Sequence, residues 1–189
     1  MRWVALYARS RQAPIAAAGL VVVVCGVWLL SRNSWSLLPA SLAITAGIAV
    51  AATGLSGQDV DLDRTAALPW PVRRLAHLVL IGAVTGALVL GVQQLGDSPV
   101  DAWLVIRDSA GVVGLAGLTA TVAGGQCGWT LPLVWFAVAV FAPEAKPVTT
   151  GTEIAAWMLQ PGDSVAANSA AVVAAVVGLG VYTRWGGRK

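Results

Sequence analysis

Residues 109–143, SAGVVGLAGLTATVAGGQCGWTLPLVWFAVAVFAP, decide the fold. All thirty-five are uncharged. A helix crossing the hydrocarbon core of a bilayer needs about 20 apolar residues, so this run is too long for one simple span. In its middle stands Gly124-Gly125-Gln126-Cys127-Gly128, and three glycines in five residues mark a turn. The run therefore divides into two spans, 106–123 and 129–142. The second is short and carries Pro132 near its start. A proline is tolerated there, because first-turn amides lack intrahelical partners anyway.

Working outward, four further apolar segments satisfy the length criterion: 14–30, 37–54, 75–95 and 165–183. The second opens at Pro39. The expected fold class is an all-α polytopic membrane protein of six transmembrane helices. Composition agrees. Of 189 residues 57% are hydrophobic and 11% charged, against about 25% charged in a soluble domain. Too few polar residues exist to coat a soluble core of this size.

Charge placement tests the division. Six spans gather Arg2, Arg9, Arg11, Arg64, Arg73, Arg74, Arg184, Arg188 and Lys189 on one side, and Arg32, Arg107 and Lys146 on the other. Basic residues favour the cytoplasm, so both termini are expected inside. Five spans would place the basic C-terminus outside. The acidic residues Asp97, Asp101, Asp108, Glu144, Glu153 and Asp163 fall on the outer side. Trp28, Trp35, Trp70, Trp129 and Trp185 lie near span ends, where indoles favour the membrane interface, and Trp135 lies within a span.

The expected organisation is an N-terminal segment 1–12, a six-span domain 13–183 with an inner loop 55–74 and an outer segment 143–164, and a cytoplasmic tail 184–189. Arg2, Arg9 and Arg11 before an apolar run resemble a secretory signal. The run is long enough to span, and no clean cleavage site precedes Arg32, so a retained helix is expected. Trp3, Val4, Leu6 and Tyr7 among those arginines suit either an interfacial helix or simple topogenic charge.

In the inner loop, Asp61 or Asp63 could cap a short helix running to about Leu68, with Pro69 and Pro71 stopping it. Such a helix would be a docking element for a soluble partner; the alternative is a solvated loop. Asp59, Asp61 and Asp63 do not make a calcium loop, because Arg64 replaces the turn glycine and Trp70 the bidentate glutamate. The lone His77 reads as a packing or interfacial residue, and Cys25 and Cys127 as small apolar ones. Gly82 and Gly86 form a GxxxG pattern, and Gly111, Gly114 and Gly117 repeat along the fourth span. These five are the candidate helix-packing positions. In the outer segment, residues 154–159 are apolar but too few to span, which leaves a re-entrant or interfacial helix or a packed surface turn. Arg107 and Asp108 are expected near the outer end of the fourth span, able to pair or to reach the interface.

No acidic residue is expected in the middle of a span, where ion-coupled transporters place their ionisable groups. There is no Walker motif, no catalytic constellation, no metal-ligand cluster and no basic patch for nucleic acid. Enzyme activity, a cofactor and metal binding are therefore not expected of this chain.

Leu62-Asp63-Arg64-Thr65-Ala66, Pro69-Trp70-Pro71 and Arg73-Arg74-Leu75-Ala76-His77 together resemble the inner loop and third span of small actinobacterial ABC-transporter permeases of the type-2 exporter class. Arg107, Gly111-Val112-Val113-Gly114-Leu115 and Trp129-Thr130-Leu131-Pro132 are similar too. The resemblance extends along nearly the whole chain. It implies an exporter permease in the bacterial plasma membrane, paired with a second permease as homo- or heterodimer and with cytoplasmic ABC ATPases, which would hold ATP and Mg. The coupling helix would comprise Asp61, Leu62, Asp63, Arg64, Thr65, Ala66 and Leu68. Residues 1–12 would form an interfacial helix, and 154–160 an outer re-entrant element. The very short turn between the fourth and fifth spans departs from that pattern. The rival expectation is a non-transporting membrane scaffold or assembly subunit.

Overall fold

The computed structural model describes residues 13–55, 70–142 and 149–187. All regular structure in them is helical: α1 (Ala13–Ser31), α2 (Leu37–Ala52), α3 (Trp70–Gln93), α4 (Ala102–Val122), α5 (Thr130–Phe141), α6 (Thr150–Ala155) and α7 (Val165–Trp185). Five of these, α1 to α4 and α7, are long and apolar enough to cross a membrane. Their exteriors are apolar as well: Ile15, Val22, Leu30, Leu80, Val173 and Val176 are all exposed. A soluble monomer rarely shows so much continuous apolar surface, so the molecule is a polytopic helical membrane protein.

Each helix forms for local reasons. The apolar runs bury their own amides in the i→i−4 ladder, the only way an open chain can satisfy them in lipid. Asp101 starts α4 by accepting from Trp103 N at 3.2 Å, and Ser164 starts α7 by accepting from Ala167 N at 3.2 Å. Each cap satisfies one orphan amide. Gly124 sits at φ +103°, a conformation that disfavours any side chain, and ends the passage out of α4. A short 3-10 turn, Gly125–Cys127, then leads to α5. The expected glycine turn therefore stands where the sequence puts it.

The helix bounds depart from expectation at three places. α3 begins at Trp70 rather than near residue 75, because Pro71 enters its first turn, where a proline is harmless. Arg73, Arg74 and His77 thus lie on the helix, and the inner loop is shorter than 55–74. α4 begins at Ala102, four residues early, because Asp101 caps it. α7 runs to Trp185, slightly past 183. Residues 1–12 and the coupling residues of the resemblance, Asp61, Leu62, Asp63, Arg64, Thr65, Ala66 and Leu68, lie outside the described residues.

α2 and α4 form the centre, with 67% and 72% of their most apolar stretches buried, whereas α1 buries 11% and leans mainly on α2. The most extensive contact joins α4 to α7. There the backbones touch. A Cβ on Gly114 would collide with the Ala174 carbonyl, and one on Gly178 with the backbone of Gly114. Only glycine at both positions permits so close a crossing.

The helices alternate in direction. At one end, here the near end, Ala52 at the close of α2 and Leu55 of the 3-10 turn that follows lie against Gly128, and Gly186 at the close of α7 packs under the guanidinium of Arg74. Gly187 lies beside Ala120 and Gly125. At the far end, Trp28 approaches Gly96, and the Trp35 indole donates to Gln93 Oε1 at 3.3 Å. Gln93 in turn donates to the Val100 carbonyl at 3.2 Å. Trp35 is thus a core residue, not the interfacial anchor expected of it, because Gln93 supplies the acceptor that its N–H needs. α5 carries the chain from the near end back to the far end, where residues 150–159 lie.

Candidate functional site

The far end is closed by the segment 149–164, here called the plug. Thr149 opens it with a capping box, exchanging hydrogen bonds with Thr152. α6 then runs along the surface with no buried residue. The next turn does the opposite. Trp157 and Met158, in a 3-10 turn Trp157–Leu159, are almost wholly buried. The Trp157 ring lies flush on Gly111, where a Cβ would come within 2.5 Å of it. The Met158 sulfur lies 3.9 Å from Thr45 Oγ1. Thr45 and Gly111 are the ninth and tenth residues of α2 and α4, so at 1.5 Å per residue the plug reaches about 12 Å into the bundle. Of the readings open in the sequence for 154–160, the geometry is an inserted turn rather than a surface one.

Arg107 holds this turn in place. Its Nη2 donates to the carbonyls of Trp157 at 2.9 Å and Gln160 at 3.0 Å, and its Nη1 to that of Pro161 at 3.1 Å. Its Nε donates to Asp108 Oδ1 at 2.9 Å, forming a salt bridge buried on both sides. The other Asp108 oxygen lies 3.1 Å from Ser41 Oγ, which also lies 2.7 Å from the Met158 carbonyl. The Ser41 hydroxyl carries one hydrogen, so it chooses between helix carboxylate and plug carbonyl. One arginine, one aspartate and one serine thereby tie α2, α4 and the plug into a single buried network. Such charges are tolerable in a dry interior only because every one has a partner.

The sequence placed Arg107 on the outer side and Asp108 near the span end. Of the two outcomes left open for them, pairing or reaching the interface, the structure shows the pairing, and it buries both at the sixth and seventh residues of α4. The cause is the early start of α4 at its Asp101 cap, which draws the pair deeper by about a turn.

The five candidate packing glycines fall into three groups. Gly82 and Gly86 of α3 face α4, where added Cβ atoms would meet Val113 at 3.1 Å and the Ser109 hydroxyl at 3.0 Å. On α4, Gly114 and Gly117 face α7, and a Cβ added to Gly117 would also meet Leu78 at 3.0 Å. Gly111 faces the plug instead. Ser41 was not singled out in the sequence, and Trp157 was read only as one residue of the short apolar stretch 154–159. Cys25 and Cys127 are separate, partly buried thiols. Among the described residues no group of His, Cys, Asp or Glu could hold a metal ion.

Comparison of the chain with protein-family models, with curated proteins and with solved structures finds no match in any of the three.

Proposed function

We propose that this chain is the permease subunit of an ATP-driven ABC transporter of the exporter class, crossing a bacterial plasma membrane six times with both termini in the cytoplasm. The observation that carries this reading is the direction of α5. It leads from the near end to the far end, so the described chain enters and leaves the bundle at one end, with the plug at the other. The near end then holds Arg73, Arg74 and Arg184, as the positive-inside rule asks of a cytoplasmic side. Asp61–Leu68, which resemble the coupling helix of that class, run in sequence between Leu55 and Trp70. ATP and Mg would bind in separate cytoplasmic ATPase subunits, and a second permease, identical or not, would complete the pathway. Conformational coupling would require ATP to favour one arrangement of the spans over another.

One observation favours a second reading, a non-transporting scaffold. Arg107 and Asp108, the charged pair buried away from the helix ends, are committed to each other and to the plug. A static subunit would use them in that way too.

Purification from native membranes in mild detergent, followed by mass spectrometry of co-purifying proteins, tests the choice. A stoichiometric ATPase bearing a Walker motif is the expected result, and replacing residues 61–68 should release it. If no ATPase follows even after cross-linking with nucleotide present, the permease reading falls.

A further inference from the structure

We infer that the plug is a releasable gate and that Arg107 is its latch: the turn Trp157–Leu159 can leave the bundle as a unit while α2, α4 and α7 stay assembled. Three observations lead there. First, the contacts that hold the bundle and those that hold the plug are different. The α4–α7 crossing at Gly114 and Gly178 lies beyond Gly111, deeper than the plug reaches, and uses no plug atom. Second, the latch holds the plug only by backbone carbonyls, those of Trp157, Met158, Gln160 and Pro161. Bonds from the charged guanidinium are stronger than neutral ones, and the released carbonyls take up water in exchange, so the latch is strong but reversible. Third, the latch has a resting arrangement of its own. When the plug leaves, Arg107 keeps Asp108, and the Ser41 hydrogen turns wholly to the carboxylate. No charge is left unpaired on the helices, which is the condition that makes most buried ion pairs costly to disturb.

Docking then rests on the burial of Trp157 and Met158. Release uncovers a polar groove formed by Ser41, Thr45, Arg107, Asp108 and Gly111 and open to the far side. α6, which buries nothing, leads into the turn on one side. On the other, Asn168 Nδ2 tethers the chain by donating to the Gly162 carbonyl at 2.9 Å. The tether keeps a released plug beside its groove. This inference does not require a partner ATPase.

Thiol reactivity in nanodiscs, in a Cys25→Ala/Cys127→Ala background, provides the test. Three single variants each carry one reporter thiol. Met158→Cys reports the plug, Ala175→Cys the α4–α7 contact beside Gly114, and Gly151→Cys an exposed reference. With Arg107 present, a water-soluble maleimide should modify the plug and bundle reporters on the order of 100-fold more slowly than the reference. Adding Arg107→Met should bring the plug reporter to within about tenfold of the reference and leave the bundle reporter slow. Equal acceleration of both would mean that plug and bundle open together, and would overturn the inference. So would no acceleration at either. Should Arg107→Met give no folded protein, Ser41→Ala carries the same comparison: a faster plug reporter with an unchanged bundle reporter supports the latch, and any other pattern rejects it.

Discussion

The α4 helix makes two contacts of opposite kinds within a few residues. At Gly114 it meets α7 backbone to backbone, with no polar side chain involved. At Arg107 and Gly111 it meets the plug through a charged clamp and a single indole. The first contact is specified by shape and tolerates almost no change in volume. The second is specified by directional hydrogen bonds and tolerates exchange of its partners. One helix thus offers a rigid seam on its α7 face and an adjustable one at its far end.

The largest expected effect comes from closing the rigid seam to its partner. Gly114→Leu would drive a side chain into the backbone of α7, where no rotamer can avoid Ala174. A loss of more than about 4 kcal/mol is expected, a size reached by severe disruption of a packed core. Size-exclusion chromatography in detergent should show no monodisperse protein. Retention of a sharp peak would show that α4 and α7 have another way to meet.

Next in size is the clamp. Arg107→Met strands the Asp108 carboxylate, which costs about 3–5 kcal/mol for a buried pair. Release of the plug to admit water would hold the loss towards the lower figure. The double variant Arg107→Met/Asp108→Leu should recover most of that loss, since apolar residues of similar volume often replace buried ion pairs without penalty. A cycle of unfolding free energies measures the coupling. Strict additivity of the two changes would dissolve the contrast with the seam.

The smallest effect is expected where a glycine touches nothing. Gly26 lies on α1 with no atom near its missing Cβ. Gly26→Ala should stabilise by about 0.5–1 kcal/mol through helix propensity alone, read as a slight rise in Tm. A destabilisation would reveal a neighbour that the isolated chain does not have.

The two contacts also differ in how far sequence discloses them. Span positions were legible because lipid imposes a length and an apolar composition on each helix. The turn at Gly124 was legible because few residues accept its dihedral angles. Gly114 was legible as a small residue at helical spacing, although nothing in the pattern said that α7 would be its partner. The clamp was legible only in part. That Arg107 and Asp108 could pair was open in the sequence, but adjacent residues on a helix point about 100° apart, so no spacing signalled that they would pair in the interior rather than reach the interface. Ser41 lies sixty-seven residues from Asp108, in a segment read only as apolar. Trp157 stands in a stretch too short to span, and composition alone cannot distinguish an indole facing lipid from one covering a glycine. Long-range hydrogen bonds to backbone carbonyls depend on the path of the chain, which residue identity does not encode locally.

α5 has a consequence for the surrounding lipid. Its twelve residues extend about 18 Å, while the twenty-four of α3 extend about 36 Å. On the six-span reading both meet the same bilayer, whose hydrocarbon layer is about 30 Å deep. Acyl chains beside α5 must therefore shorten or splay, and those beside α3 must stretch unless that helix tilts. The protein would sit in an annulus of uneven depth, thin on one flank and full on the other. Short-chain lipids would collect at the thin flank, and a second subunit docking there would relieve the mismatch for both molecules at once.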